Sequence, residues 1–346
     1  MPRMESLPPH SPSTLPETDT SPLVAYLDHL VEELQRLIPM ALRDWDEHAI
    51  HQSRVATRRL KAGIDLFRPV LSDDVRSRFA RVTRKLRRRL GPLRDLDVML
   101  GHLAELSNQT RHATAVRWLA GRLQDQREAA RGASLEEAPP AKVLAKLSSS
   151  WSEVRGEMLQ ASEAVDSLLV ESIHLQLDAF AEQADRLIRP PERATESASR
   201  AAPPQDVHEL RIAGKALRYT LEMAKEHGRP LDRGVMRTFK RMQEALGLWH
   251  DFVVLTEWAM RASLDVLLAH HDTSLQTDVL ALARLTLSRA EQRLKKFGAF
   301  WAKEGPQLTE TIRSHFPLTQ AASVAAAASS AAEAAALAAG PVSGST

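Results

Sequence analysis

Apolar residues recur at spacings of three and four along most of the chain, beginning near Ser21. Such spacing places them on one side of an α-helix, and almost no run shows the alternation that a half-buried β-strand requires. Proline and glycine interrupt this pattern, so that we expect helices to end at Gly91-Pro92, between residues 246 and 249, and near residue 298. The pattern predicts an all-α protein built from many helices.

The two ends of the chain lack the helical pattern. Residues 1–20 combine several prolines with Ser and Thr and hold few apolar residues, which favours a disordered leader. Residues 319–339 are almost entirely Ala and Ser and offer no large apolar face for packing, so that we expect residues 317–346 to form a flexible Ala-rich tail. Residues 190–205 contain four prolines and are predicted to form a long loop.

An internal repeat is the most informative feature of the chain. Residues 51–61 read H-Q-S-R-V-A-T-R-R-L-K, and residues 208–218 read H-E-L-R-I-A-G-K-A-L-R, at an offset of 157. Residues 85–95 match residues 241–251 in the same way, at an offset of 156. Two matches in the same order indicate a duplication.

We place the duplicated halves at residues 21–160 and 161–316. Each half is long enough for a bundle of four or more helices.

The first repeat carries a row of basic residues on one side of its predicted helix. At about 100° per residue, this row spans roughly 80° and lies apart from the apolar side that holds Leu60, Ile64 and Phe67. The second half has the same arrangement. The two rows are His51, Arg54, Arg58 and Lys61 in the first half, and His208, Arg211, Lys215 and Arg218 in the second.

The segment 76–94 is still more basic, with nine Lys or Arg and no acidic residue. Arg78, Arg81, Lys85 and Arg88 form a stripe along it, and the matching segment of the second half is less basic, with Glu244 in place of Arg88. Neighbouring like charges repel each other on a helix. A bound anion would relieve this repulsion, whereas the alternative is a basic face that only water covers.

Composition excludes several classes of function. The chain has no cysteine, which excludes disulfides, cysteine metal sites and cysteine nucleophiles and fits a reducing compartment. No apolar run approaches the roughly 18 residues that a membrane span requires. The N-terminus also lacks the basic and then apolar layout of a signal peptide, so that we expect a soluble cytoplasmic protein that does not contact a membrane.

Three aspartates could suggest metal or general-base chemistry, namely Asp95, Asp97 and Asp251. Asp95 and Asp251 each follow a glycine by four residues, a position that suits capping of a following helix or orientation of a neighbouring arginine. No phosphate-binding loop, nucleophile elbow or zinc-protease motif is present. We therefore predict no catalytic residue, no metal site and no cofactor.

Four segments together resemble the CHAD domain, the conserved histidine α-helical domain. They are H-x-x-R-V-x-x-R-R-L-K at residues 51–61, L-G-P-L-R-D-L-D-V at residues 90–98, H-x-x-R-I-x-x-K-x-L-R-Y at residues 208–219, and the match of residues 241–251 to 85–95. The resemblance covers about residues 21–316. It implies two four-helix bundles related by a pseudo-twofold axis, and binding of inorganic polyphosphate in a central groove lined by basic helices of both halves. It also implies association with polyphosphate granules.

The resemblance carries binding roles to individual positions. Glu244 departs from a purely basic lining, and it either pairs with Arg241 or weakens binding in the second half. The E-x-E-x-K motif of the triphosphatase domain that precedes some family members is absent. The implied binding residues are His51, Arg54, Arg58, Lys61, Lys85, Arg88, His208, Arg211, Lys215, Arg218 and Arg241, with Arg59, Arg81, Arg84, Arg237 and Lys240 as further candidates.

The sequence thus predicts a non-enzymatic polyphosphate-binding protein, with other polyanions as further possible ligands. Three alternatives stay open: a nucleic-acid-binding protein, an enzyme that acts on polyphosphate, and a polyphosphate-anchored scaffold for an unidentified protein partner. A phosphate bound near His51 or His208 would raise the pKa of that imidazole. The alternative for each histidine is a capping or packing role.

Overall fold

The computed structural model describes residues 21–107, 112–135, 138–188 and 204–318, and within these ranges all regular elements are helices. This confirms the predicted all-α class. The predicted leader, the loop at residues 190–205 except for its last two residues, and the tail beyond residue 318 lie outside the described residues. The α-helices are α1 Pro22–Pro39, α2 Glu47–Leu66, α3 Asp73–Ser107, α4 Ala113–Leu135, α5 Pro140–Gln160, α6 Val165–Ile188, α7 Pro204–Glu226, α8 Arg233–Asp265 and α9 Thr273–His315.

Short-range signals set several helix starts. Ser21 precedes α1, and Pro22 occupies its first turn, where the missing N–H costs nothing. Asp46 caps α2 by accepting a hydrogen bond of 2.6 Å from the backbone N–H of Ala49. Asp232 caps α8 in the same way. These helices therefore begin where local chemistry favours a start.

Three predicted helix ends are wrong. Helix α3 continues through Gly91-Pro92, α8 continues past residue 246, and α9 continues past residue 298. All three helices cross from one group of buried side chains to another. The free energy gained by burying both ends exceeds the cost of an internal glycine or proline, because most helix stability in proteins comes from tertiary packing.

The core consists of two groups of buried apolar side chains within the described residues. The larger group joins α1, α2, the first half of α3 and α5 to α6, α7, the first half of α8 and the second half of α9. The smaller group joins the second half of α3 and α4 to the second half of α8 and the first half of α9. We keep the division into bundles at residues 21–160 and 161–316 as a proposal, with α5 ending at Gln160 and α6 beginning at Val165.

An ion pair connects helices of the two proposed halves. Arg59 of α2 lies 3.0 Å from Glu222 of α7, measured from Nε to Oε2. Both side chains are partly buried. The contact fixes α2 beside α7, the two helices that carry the repeated basic rows. None of the described helices has the length and apolar character needed to cross a bilayer.

Buried Arg89 attaches Ser134 at the end of α4, and Ala138 just before α5, to α3. Its guanidinium donates to the carbonyl of Ala138 at 2.6 Å, and to the carbonyl and hydroxyl of Ser134 at 2.7 and 2.8 Å. We expect Arg89→Met to lower the free energy of unfolding by about 2–4 kcal/mol, because it leaves buried acceptors without donors. Urea unfolding followed by circular dichroism measures this. Arg88→Met is the control, since Arg88 is exposed, and equal losses in both variants would contradict the prediction.

Candidate functional site

A cleft of about 890 Å³ is lined by side chains of α2, α3 and α4 from the first proposed half and of α7 and α8 from the second. Six side chains of the two predicted basic rows line it: His51, Arg54, Arg58, His208, Arg211 and Lys215. They form three pairs at the repeat offset of 157. The fold therefore brings equivalent positions of the duplicated segments into one cavity.

Arg54 is fixed at the α3 side of the cleft. Its Nη1 donates to the carbonyl of Arg87 at 3.2 Å, and its Nη2 lies 3.4 Å from Oδ1 of Asp95. Gly91 makes this approach possible, because a Cβ there would lie 3.0 Å from Nη1 of Arg54. Burial raises the pKa of Asp95, and the charge of Arg54 opposes that rise. The predicted role of Asp95 in orienting an arginine is confirmed, whereas its role as a helix cap is wrong because α3 is continuous.

Acidic groups only partly balance the positive charge of Arg211 and Lys215 on the α7 side of the cleft. The Nε of Arg211 is buried and has no hydrogen-bond partner among the described residues. Burial lowers the pKa of Lys215 to about 7, and repulsion from Arg211 and Arg58 adds to this effect. Burial and the neighbouring arginines both disfavour the charged ammonium, and a bound anion would favour it.

Burial and the positive charges of the cleft also act on its histidines. Burial lowers the pKa of His51, and the charge of Arg94 lowers it further. Burial and the charge of Arg211 lower the pKa of His250 to about 4. The rings of His208 and His250 lie 5.4 Å apart, measured between centroids. An anion bound in the cleft would raise the pKa of His51 and of His250.

The three aspartates have separate positions. Asp251 lines the cleft with Oδ2 3.4 Å from Nε2 of His102. Asp97 does not line the cleft, and its buried Oδ1 accepts a hydrogen bond of 2.6 Å from Nε of Arg127. Among the described residues, no group of three or more His, Asp and Glu side chains could hold a metal ion.

Acidic residues one turn further along neutralise the ends of the two basic rows. Lys61 of α2 pairs with Asp65. Arg218 of α7 lies 3.7 Å from Glu222, which also binds Arg59. None of these three cations lines the cleft, although all three are candidates from the sequence.

The basic stripe of α3 also lies outside the cleft. Arg81 and Lys85 line a separate groove between α3 and α5, and Arg84 and Arg88 are exposed. On α8, Arg237, Lys240 and Arg241 are exposed as well, and they do not line the cleft. The guanidinium of Arg241 lies 4.7 Å from the centroid of the Phe300 ring, and no ion pair joins Arg241 to Glu244 in the described structure.

Sequence reasoning missed two residues of the cleft, Arg94 and His250. They occupy equivalent positions at the repeat offset of 156 and directly precede Asp95 and Asp251. Arg94 was counted in the basic segment 76–94, but it was not paired with His250. The repeat offset alone contains the signal that identifies both residues.

Comparisons with known proteins agree with the motifs. A family model described as the CHAD domain matches residues 25–260. The chain is similar to the crystal structure of the CHAD domain from the plant Ricinus communis, with 20% identity, a TM-score of 0.53, and coverage of 86% of this chain and 91% of that one.

A second solved structure, PptA from Streptomyces chartreusis, has 17% identity and a TM-score of 0.50, and the match covers 82% of this chain and 98% of that one. At these identities both likenesses concern the fold alone. A comparison with curated proteins gave no match. The family model spans more than half of the chain and confirms the resemblance seen in the motifs, so that this protein belongs to the CHAD domain family.

Proposed function

We propose that the cleft binds inorganic polyphosphate without chemical turnover. One observation carries this proposal: basic side chains from both halves meet in a single cleft, and among the described residues only two carboxylates line it, Asp95 and Asp251. Binding of polyphosphate is a general property attributed to the family to which the chain belongs.

The spacing of the basic side chains suits a linear polyanion. Positions three and four apart on a helix face carry charges roughly 5–6 Å from each other, so that each row follows a chain of phosphates. Arg54, Arg58 and Arg211 offer planar forks for phosphate oxygens, and Lys215 offers a compact charge. Arg94 and His250 extend the two rows at the α3 and α8 sides.

The absence of turnover is part of the proposal. Of the two carboxylates in the cleft, Asp95 contacts Arg54 and Asp251 contacts His102. These contacts direct each carboxylate towards a neighbouring cation or imidazole, which supports a role in positioning the lining. We further propose that binding localises the protein to polyphosphate granules.

A titration with two polymers tests the proposed ligand. Long-chain polyphosphate and duplex DNA are compared by calorimetry at equal phosphate concentration and at two salt concentrations, with Mg²⁺ present in a parallel sample that is assayed for released phosphate. We expect polyphosphate to bind at least tenfold more tightly than DNA, because the Arg and Lys side chains line a cleft between α2 and α7 that a single linear chain can enter. Its affinity is expected to fall steeply with salt as counterions are released.

Equal affinity for both polymers would contradict the proposed ligand and favour a general polyanion-binding surface. Phosphate release that depends on the protein would contradict binding without turnover.

A further inference from the structure

We infer that the groove between α3 and α5 is a second polyanion-binding site, which holds the part of a long polyphosphate chain that extends beyond the cleft. This inference rests on the proposed function of the cleft. The groove has a volume of about 130 Å³. Its lining comprises Arg81, Val82, Lys85, Leu86, Arg89, Ala138, Lys142, Val143 and Lys146.

The groove presents cations from two facing helices. Arg81 and Lys85 lie one turn apart on α3, and Lys142 and Lys146 lie one turn apart on α5. Each pair places two charges roughly 6 Å from each other along its helix. No described carboxylate lines the groove. The four cations therefore surround a space that suits the oxygens of successive phosphates.

These cations differ from their neighbours in having no described ion pair. One turn before Arg81, the guanidinium of Arg78 pairs with Asp74 and lies 2.6 Å from Oε2 of Glu153 on α5. Within the described structure, Arg81, Lys85, Lys142 and Lys146 form no such contact. Acidic residues thus balance the positive charge between α3 and α5 at Arg78. At Arg81 and Lys85, further along α3, the positive charge has no such partner in the described structure.

Arg89 gives the groove a fixed end. Its guanidinium is bound to the carbonyls of Ser134 and Ala138, and it attaches the start of α5 to α3. Because the N–H groups of Arg89 already donate to these carbonyls, we assign Arg89 a positioning role. The ligand-binding role belongs to the four exposed cations.

Exposed arginines connect the groove to the cleft. The face of α3 that carries Arg87 and Asp95 contacts Arg54 at the cleft. At about 100° per residue, Arg84 lies about 60° and Arg88 about 100° around the α3 axis from Arg87. Lys85 lies about 160° from Arg87 in the same direction. Half the circumference of a helix with its side chains is roughly 15–20 Å. A long chain can span this distance, whereas tripolyphosphate in the cleft cannot.

The position that matches Lys85 in the second half has a different environment. Arg241 occupies the position that matches Lys85 at the repeat offset of 156. Its guanidinium and the Nζ of Lys296 lie over the ring of Phe300, at 4.7 and 5.6 Å from the centroid. An aromatic ring thus contacts both cations there, and we assign the polyanion site to the groove between α3 and α5.

Binding of short and long chains by one variant tests the inference. Lys85→Glu/Lys146→Glu reverses one charge on each wall of the groove. We expect its affinity for long-chain polyphosphate to fall at least tenfold, because reversed charges repel the phosphates next to them. Its affinity for tripolyphosphate is expected to change less than twofold, because that ligand occupies the cleft. The slope of log affinity against log salt for the long chain is expected to become smaller by about 1.4 or more, the value for two lost phosphate contacts.

Arg284→Glu/Lys303→Glu is the matched control, since both residues are exposed on α9 and line neither site. Long-chain affinity equal to that of the control would overturn the inference, and so would an equal loss for short and long chains. If the charge reversal lowers the melting temperature, Lys85→Gln/Lys146→Gln repeats the test with a smaller expected loss. Failure of the cleft itself is recognised separately, because the wild-type protein would then not bind tripolyphosphate.

Discussion

The variant Arg58→Ala/Arg211→Ala is expected to bind long-chain polyphosphate at least a hundredfold more weakly than the wild-type protein. Each of these arginines comes from one half and lines the cleft. Charge-assisted hydrogen bonds contribute about 1.5–3 kcal/mol each, so that losing two costs about 3–6 kcal/mol of binding free energy. Calorimetric titration at low salt measures the loss.

The same variant is expected to keep its fold. Arg58 forms no ion pair with a described residue, and the buried Nε of Arg211 has no partner, so that their removal breaks no described contact of these groups. Arg284→Ala/Lys303→Ala removes the same amount of charge from exposed positions on α9 and is expected to bind as the wild type does. A folded Arg58→Ala/Arg211→Ala protein with unchanged affinity would contradict the proposed site.

Raising the pH from 6 to 9 is expected to weaken polyphosphate binding by up to about tenfold per pH unit above pH 7. Burial and nearby Arg211 and Arg58 lower the pKa of Lys215 to about 7, while Asp251 opposes the shift. A bound phosphate favours the charged ammonium and raises this pKa. Since the complex then holds a proton that the free protein has lost, affinity falls as pH rises between the two pKa values.

Proton uptake on binding distinguishes this mechanism from a loss of affinity at high pH that has another cause. At pH 8, the binding enthalpy of the wild-type protein is expected to depend on the ionisation enthalpy of the buffer. Lys215→Arg is expected to remove most of this dependence, because arginine stays charged in both states. His51, with its pKa lowered by burial and by Arg94, adds a similar effect at lower pH. Equal proton uptake by Lys215→Arg and the wild type at pH 8 would assign the effect to another group.

Local spacing was sufficient to predict the chemistry of the cleft. The intervals between His51, Arg54 and Arg58 place these residues on one side of a helix, and α2 presents all three to the cleft. The matching interval in α7 does the same for His208 and Arg211. This part of the site was predictable because a single helix determines it.

The extent of the site was not predictable in the same way. Lys61 and Arg218 continue the rows by spacing, yet Asp65 and Glu222 one turn further on neutralise them. The basic stripe of α3 was expected in the cleft, whereas Arg81 and Lys85 face α5. The rotation of α3 about its axis decides this, and it depends on which apolar residues pack against α2 and α5.

The sequence by itself determined the helical class, the duplication and the two basic rows, because each depends on intervals along one helix or on a comparison of one segment with another. Only the tertiary structure decided which residues of the two rows line one cleft, that Arg94 and His250 join it, and that Arg81 and Lys85 of the α3 stripe line a separate groove. The reason is physical. Long-range packing carries α3 and α8 through their internal glycines, and it fixes which side of each helix faces the other half.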